Sequence, residues 1–130
     1  MDHTIVHFEI PANDVEKLRK FYENVLGWKF VNSAIPGVEY WLIYTVPTDE
    51  KGMPQRPGVN GGLYRRTGDW QNATPINYIT VENIDEYAAK VEKEGGKILV
   101  PKQQIPKVGW FVVAADPEGN PIGLLQPEMP

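Results

Sequence analysis

The sequence predicts an α+β protein in which a strand, a helix and three further strands occur twice in succession. Three observations carry that expectation: the repeated order of elements, matching distances within the two repeats, and a composition suited to one packed domain. At 130 residues, with 42% apolar and 23% charged side chains, the chain is long enough to bury roughly two-thirds of its unfolded surface. It therefore needs no metal or disulfide to hold a core.

The first repeat opens on a strand-like run from Ile5 to Ile10 that Pro11 closes. Val15, Leu18, Phe21, Tyr22, Val25 and Leu26 then recur at helical spacing, which predicts a helix over 15–26. Asp14 suits its N-cap, because the carboxylate can accept the unpaired amides of the first turn, and Gly27 suits the left-handed residue that ends it. Trp28 to Val31, Tyr40 to Val46 and Asn60 to Arg65 read as strands, separated by Pro36-Gly37 and by a Pro- and Gly-rich loop from Pro47 to Gly58. That loop is long enough for a lid, and a surface excursion explains it equally well.

The second repeat follows the same order: a strand from Ile76 to Val81, a helix carrying Ile84, Tyr87, Ala88 and Val91 on one face, then Gly95-Gly96. Asn83 with Glu86 three residues later resembles a capping box. Strands are expected at Lys97 to Val100, Gly109 to Ala115 and Ile122 to Gln126, the last after the turn Asp116-Pro117-Glu118-Gly119-Asn120. His7 precedes its cap Asp14 by seven residues, as Ile76 precedes Asn83, and the caps lie 13 and 12 residues before Gly27 and Gly95. Such agreement predicts module one over 1–66, a connector over 67–74 and module two over 75–130, all within one domain.

Composition narrows the function classes. Lys and Arg total 13 against 17 Asp and Glu, a net charge of −4, and basic residues cluster only in short runs such as Arg65-Arg66. No stripe of cations could neutralise several phosphates, so no nucleic-acid partner is expected. Without cysteine the chain has no disulfide framework, thiol nucleophile or iron–sulfur cluster. The amino terminus lacks a basic region followed by an apolar stretch, and no apolar run has the roughly 18 residues of a membrane span. A cytoplasmic protein without a membrane partner is the expectation. Phosphate-cradling loops, dinucleotide fingerprints, nucleophile elbows and His-Glu-x-x-His are absent from the sequence.

The run His7-Phe8-Glu9-Ile10-Pro11-Ala12-Asn13-Asp14, with Phe21-Tyr22 before Val25-Leu26-Gly27-Trp28, resembles the opening signature of the glyoxalase/bleomycin-resistance/extradiol-dioxygenase superfamily, the vicinal oxygen chelate fold. Asp116 to Asn120 leading into Ile122-Gly123-Leu124 resembles its closing signature. The resemblance implies two βαβββ modules forming curved mixed sheets around a cup-shaped pocket, and a homodimer. It also implies metal-ligand slots on the first and last strands of each module, at His7, Gly62, Ile76 and Gly123. Only His7 has a ligating side chain. A strand register shifted by two would put Tyr78 in place of Ile76 and leave both glycines empty. The expectation is a protein that binds a small organic ligand with no cofactor, a divalent metal at His7 being the alternative. In that alternative the chain is a lyase or isomerase related to lactoylglutathione lyase, or an oxygenase; a structural or regulatory interaction protein is the third class.

Alternation along a strand puts His7 and Glu9 on one face, and Ile76 and Tyr78 on the matching face of the counterpart. His7 and Glu9 are the candidate catalytic pair, an imidazole beside a carboxylate being suited to acid–base work, although such pairs also serve as structural hydrogen bonds. Tyr78, Tyr40 and Trp110 are the candidate ligand-binding aromatics, with core packing as the competing role for each.

Overall fold

In a computed structural model the described residues are 1–68 and 73–128, so the expected connector over 67–74 lies partly outside them. The chain forms two compact units, His7–Pro75 and Met1–Val6 with Ile76–Pro130. The expected boundary thus differs at the amino terminus, and the reason is local. Thr80 N donates to Thr4 O at 3.1 Å, and the His3 ring meets both Thr80 O at 3.0 Å and the Tyr87 hydroxyl at 3.1 Å.

The unit His7–Pro75 carries most of β1 (Ile5–Ala12), then α1 (Val15–Leu26), β2 (Lys29–Asn32), β3 (Tyr40–Tyr44) and β4 (Gly61–Arg65), with its strands in the order β2-β3-β4-β1. β1 and β4 are parallel, and the other pairs antiparallel. The helix has the expected ends. Asp14 accepts from Lys17 N at 3.0 Å, and Gly27, at φ +70°, donates its amide to Glu23 O at 3.0 Å. Pro11 does not end β1, as the sequence suggested. Ala12 O accepts from Arg66 N, so the Ala12 amide edge faces β4 and the missing N–H of Pro11 would have pointed away from it.

Helix α1 covers one face of this sheet. Ala12, Val15, Ile43 and Leu63 are buried there, packed by Phe8, Ile10, Leu18, Trp28, Phe30 and Trp41. Each large apolar side chain so buried contributes about 1.5–3 kcal/mol. Arg19 reaches in from the helix and lays its guanidinium 4.0 Å above the Trp41 ring, a cation–π contact. Because side chains alternate, the opposite face receives His7, Glu9, Tyr40, Leu42, Gly62 and Tyr64.

The second unit repeats the plan with β5 (Ile76–Thr80), α2 (Ile84–Lys93), β6 (Lys97–Ile105), β7 (Gly109–Ala115) and β8 (Pro121–Pro127), ordered β5-β8-β7-β6. Again the first and last strands are parallel and the others antiparallel. Asn83 accepts from Glu86 N at 3.0 Å, while the Glu86 carboxylate turns to Lys90 at 3.6 Å. Half of the capping box forms, and Gln126 of β8 supplies a further acceptor to Ile84 N at 2.8 Å. β6 continues past Pro101, where its register against β7 shifts; a proline is tolerated at such irregularities.

Val81, Ile84, Val112, Ala114 and Leu124 form the core under α2. On the helix-free face Ile76, Tyr78 and Val113 are buried with Phe111 and Val100 against them. Tyr78 lies directly over its ladder partner Gly123, so that a Cβ at Gly123 would overlap the ring atoms Cδ2, Cε2 and Cγ. Gly123→Ala should therefore destabilise the protein by about 1–3 kcal/mol. The double variant Tyr78→Ala, Gly123→Ala should lose clearly less than the two single losses added together. Urea unfolding of the four proteins measures this coupling, and strict additivity would show that ring and backbone do not compete for the same space.

Candidate functional site

The polar cluster on the helix-free face of the first unit is built from three strands. β1 presents His7 and Glu9 two residues apart, and β3 sends the Tyr40 side chain across β4 towards both. The Tyr40 hydroxyl lies 2.9 Å from His7 Nε2 and donates to Glu9 Oε2 at 2.8 Å. Gly62 makes this crossing possible. It pairs with Glu9 on one side and Leu42 on the other, and a Cβ there would collide with the Tyr40 hydroxyl and ring. The phenol oxygen fills the volume that a side chain at position 62 would otherwise hold.

The direction of the two bonds assigns the protons. A phenol has one hydrogen, and Tyr40 gives it to Glu9; Nε2 must then donate to the Tyr40 oxygen. His7 in this arrangement is the Nε2–H tautomer, linked through Tyr40 to a carboxylate. Burial lowers the His7 pKa from 6.5 to about 4, because the charged imidazolium would lose its hydration. The ring is neutral at pH 7. Tyr64, two residues beyond Gly62 on the same face, has its phenol pKa raised by burial first and by the Glu9 charge second, against an opposing effect of Arg66. It remains a protonated hydroxyl at neutral pH.

The registers align the two units internally. Glu9 pairs with Gly62 and Tyr78 with Gly123, so Tyr78 is the counterpart of Glu9 and Ile76 the counterpart of His7. That is the register expected from the cap distances. Of the four slots implied for a metal, Gly62 is covered by Tyr40, Gly123 is covered by Tyr78, and Ile76 is buried and apolar. Among the described residues no group of three or more His, Cys, Asp or Glu side chains comes together. The donors present do not fit the family's four-ligand pattern. Of the aromatic candidates, Tyr40 joins His7 and Glu9, and Tyr78 covers the equivalent position of the other unit. Trp110 packs on the helix side of its sheet, with the Lys102 ammonium 4.5 Å from its ring centroid.

Comparison with known proteins places this architecture. The family profile described as "Glyoxalase/Bleomycin resistance protein/Dioxygenase superfamily" matches residues 4–124. The chain belongs to that superfamily. A "Glyoxylase-like domain-containing protein" of Didymella fabae is 33% identical over 116 residues, covering 86% of this chain and 84% of that protein. "Putative glyoxylase CFP32" of Mycobacterium tuberculosis is 26% identical over 125 residues, 91% of this chain but 43% of its own length, so the chain spans less than half of that relative. Among solved structures, methylmalonyl-CoA epimerase from Mycobacterium tuberculosis superposes with a TM-score of 0.67 at 14% identity, covering 96% of this chain and 88% of that one. Hypothetical protein BH1468 from Bacillus halodurans gives 0.70 at 12% identity, covering 100% and 98%. At these identities the likeness is one of fold. Superfamily membership thus agrees with the doubled βαβββ order and leaves the chemistry to the residues of the site.

Sequence reasoning paired His7 with Glu9 but did not see the phenol between them. The signal was available in part: Tyr40 opens a strand whose antiparallel partner carries a glycine two residues from its ladder mate Tyr64. A protein whose His7 is neutral when folded and titrates near 6.5 when unfolded binds fewer protons in the native state between those values. Stability should be full above pH 6.5 and fall as the pH drops towards 4, by about 3 kcal/mol from this residue alone. Urea unfolding of wild type and His7→Gln at pH 7.5 and 4.5 isolates the effect as the difference between the two proteins. An equal pH dependence in both would show that His7 is not held neutral.

Proposed function

We propose that this chain is a small-molecule-binding protein of the superfamily, one that works without a metal held by four side-chain ligands. The observation that supports it most is the Tyr40 hydroxyl standing in the space of position 62, joined to His7 and Glu9. A metal enzyme would use that space for a ligand. Here the same volume holds a fixed chain of donors and acceptors, which suits recognition of a ligand hydroxyl or carbonyl. Methylmalonyl-CoA epimerases, whose structures include complexes with methylmalonyl-CoA and with 2-nitronate-propionyl-CoA, show what sizes of organic ligand the fold accepts in relatives. The homodimer and the cytoplasmic location implied by the family resemblance and the sequence belong to this proposal.

A second reading, an acid–base enzyme of the lyase or isomerase type, is favoured by the direction of the same chain. A proton taken up at His7 Nδ1 would release the Nε2 proton to Tyr40, and the Tyr40 proton would pass to Glu9, which ends as the neutral acid. Charge moves from ligand to Glu9 with no imidazolium persisting in a buried place. Burial opposes the imidazolium as an end state, so the carboxylate is the better terminus.

Protein purified without chelator should contain well under one divalent ion per chain, measured by elemental analysis. A stoichiometric ion lost in His7→Ala would overturn the metal-free proposal. In a thermal-shift screen of small organic molecules, compounds that stabilise the wild type should lose at least tenfold in affinity with Tyr40→Phe, which removes the hydroxyl and leaves the ring. Unchanged affinity with a retained fold would remove the His7–Tyr40–Glu9 chain from the binding site.

A further inference from the structure

A second feature of the first unit lies on the same sheet as the His7 cluster and is assigned no role by it. An open groove of about 400 Å³ runs beside the carboxyl end of α1, lined by Gly27, Lys29, Tyr44, Val46, Thr48 and Arg56 among others. Its walls are fixed by hydrogen bonds. Asn60 accepts from Thr45 N at 2.8 Å and donates to Thr48 Oγ1 at 2.9 Å, and Asp49 accepts from the amides of Lys51 and Met53, both at 2.9 Å. The Pro47 to Gly58 excursion is thereby a pinned wall.

The polar groups facing this groove differ in what they have left to offer. The Thr45 hydroxyl donates to Val59 O at 2.7 Å and the Thr48 hydroxyl to Val46 O at 2.8 Å, so both protons are engaged within the loop. Lys29 and Arg56 are exposed and form no ion pair among the described residues. In a chain of net charge −4 two cations converge on one concavity that is otherwise lined by Gly27, Tyr44, Thr45, Val46, Pro47 and Thr48. Two cations facing one concavity, with a tyrosine ring beside them, favour the negatively charged end of a ligand.

The ladders also fix where the groove lies relative to His7. Glu9, Gly62 and Leu42 form one row across β1, β4 and β3. One residue along, Phe8, Gly61 and Ile43 form the last row across the three strands, with His7, Asn60 and Tyr44 next beyond them along their segments, and Tyr44 pairs with Lys29 on β2. By alternation His7, Tyr44 and Lys29 share the helix-free face with Glu9 and Leu42. With strands about 4.8 Å apart, Tyr44 stands about 10 Å and Lys29 about 14 Å from His7.

We propose that the Lys29–Arg56 groove binds the oxyanion end, phosphate or carboxylate, of an elongated organic ligand whose polar head reaches the His7–Tyr40–Glu9 cluster. The head-group half of this rests on the function proposed above; the anion half stands on the groove itself.

The test is an amide-resolved NMR titration of the whole chain with phenyl phosphate, with benzoate, and with benzyl alcohol as the neutral comparison. At low salt the anions should shift the signals of Gly27, Thr45, Val46 and Thr48, with benzyl alcohol leaving them in place. The ratio of the phenyl phosphate and benzoate affinities identifies the preferred oxyanion. Lys29→Gln with Arg56→Gln should weaken anion binding at least tenfold, and spectra of the remaining amides check that this surface change leaves the fold intact. Equal response to benzyl alcohol, undiminished anion binding by the double variant, or no anion response at all would overturn the proposal. A metal found at His7 alongside intact anion binding would instead remove the function proposed above and leave the groove. Loss of anion binding while Tyr40→Phe still weakens screened ligands would do the reverse.

Discussion

The arrangement of the site depends on one steric exchange: position 62 has no side chain, and the Tyr40 hydroxyl occupies the space. The joining of His7 to Glu9 follows from it. With any larger residue at 62 the phenol could not cross β4, and His7 and Glu9 would lose the group that joins them. A glycine in the middle of a strand ordinarily weakens it, since it has no side chain to pack and loses more chain entropy on folding. Here the φ of Gly62 is unremarkable for a strand, and the residue is required by the closeness of its neighbour. The cost in strand propensity is offset by two hydrogen bonds in a poorly hydrated place, each contributing about 0.5–1.5 kcal/mol.

The second unit makes the same exchange with a different outcome. Gly123 is covered by Tyr78 from its parallel neighbour, in the position that corresponds to Glu9. Around that ring the face is apolar, with Ile76, Val113 and Phe111, the Phe111 ring edge-on to Tyr78 at 6.4 Å. One copy of the module thus keeps a hydrogen-bonded polar chain on its helix-free face, while the equivalent face of the other is mainly apolar, with Thr80 among its buried residues. The two units differ most plainly where His7 in one corresponds to Ile76 in the other.

Much of this was legible in the sequence because it follows from local rules. Cap residues, terminating glycines and apolar periodicity predicted both helices, and the ladders set Glu9 opposite Gly62 as they set Tyr78 opposite Gly123. Where the reading fell short, the cause was non-local. The strands expected to stop at Pro11 and at Val100 both run further, because of which way the Pro11 edge faces and where a register shift falls in β6. Trp110 was singled out as an aromatic near a pocket, yet one step of alternation along β7 puts it on the helix side. Tyr40 was named for its ring, whereas its hydroxyl is what joins the cluster. No sequence pattern announces that a side chain crosses a neighbouring strand.

The electrostatics of the first unit then follow from which groups are hydrated. His7 is half-buried and held neutral by the desolvation of its ring, so it contributes direction to a hydrogen-bonded chain and no charge. Lys29 and Arg56 are exposed and charged; Lys29 lies on β2, at the far edge of this unit's sheet from β1, and Arg56 on the loop between β3 and β4. A neutral, desolvated end discriminates by geometry, because a misplaced donor leaves a buried group unsatisfied at a cost of about 1–3 kcal/mol. A charged, wet end discriminates weakly by shape but attracts from a distance, on a scale set by a screening length of about 8 Å at physiological salt. The first unit thus carries both a neutral, hydrogen-bonded cluster and two exposed cations, which differ in how they can act on a neighbouring group.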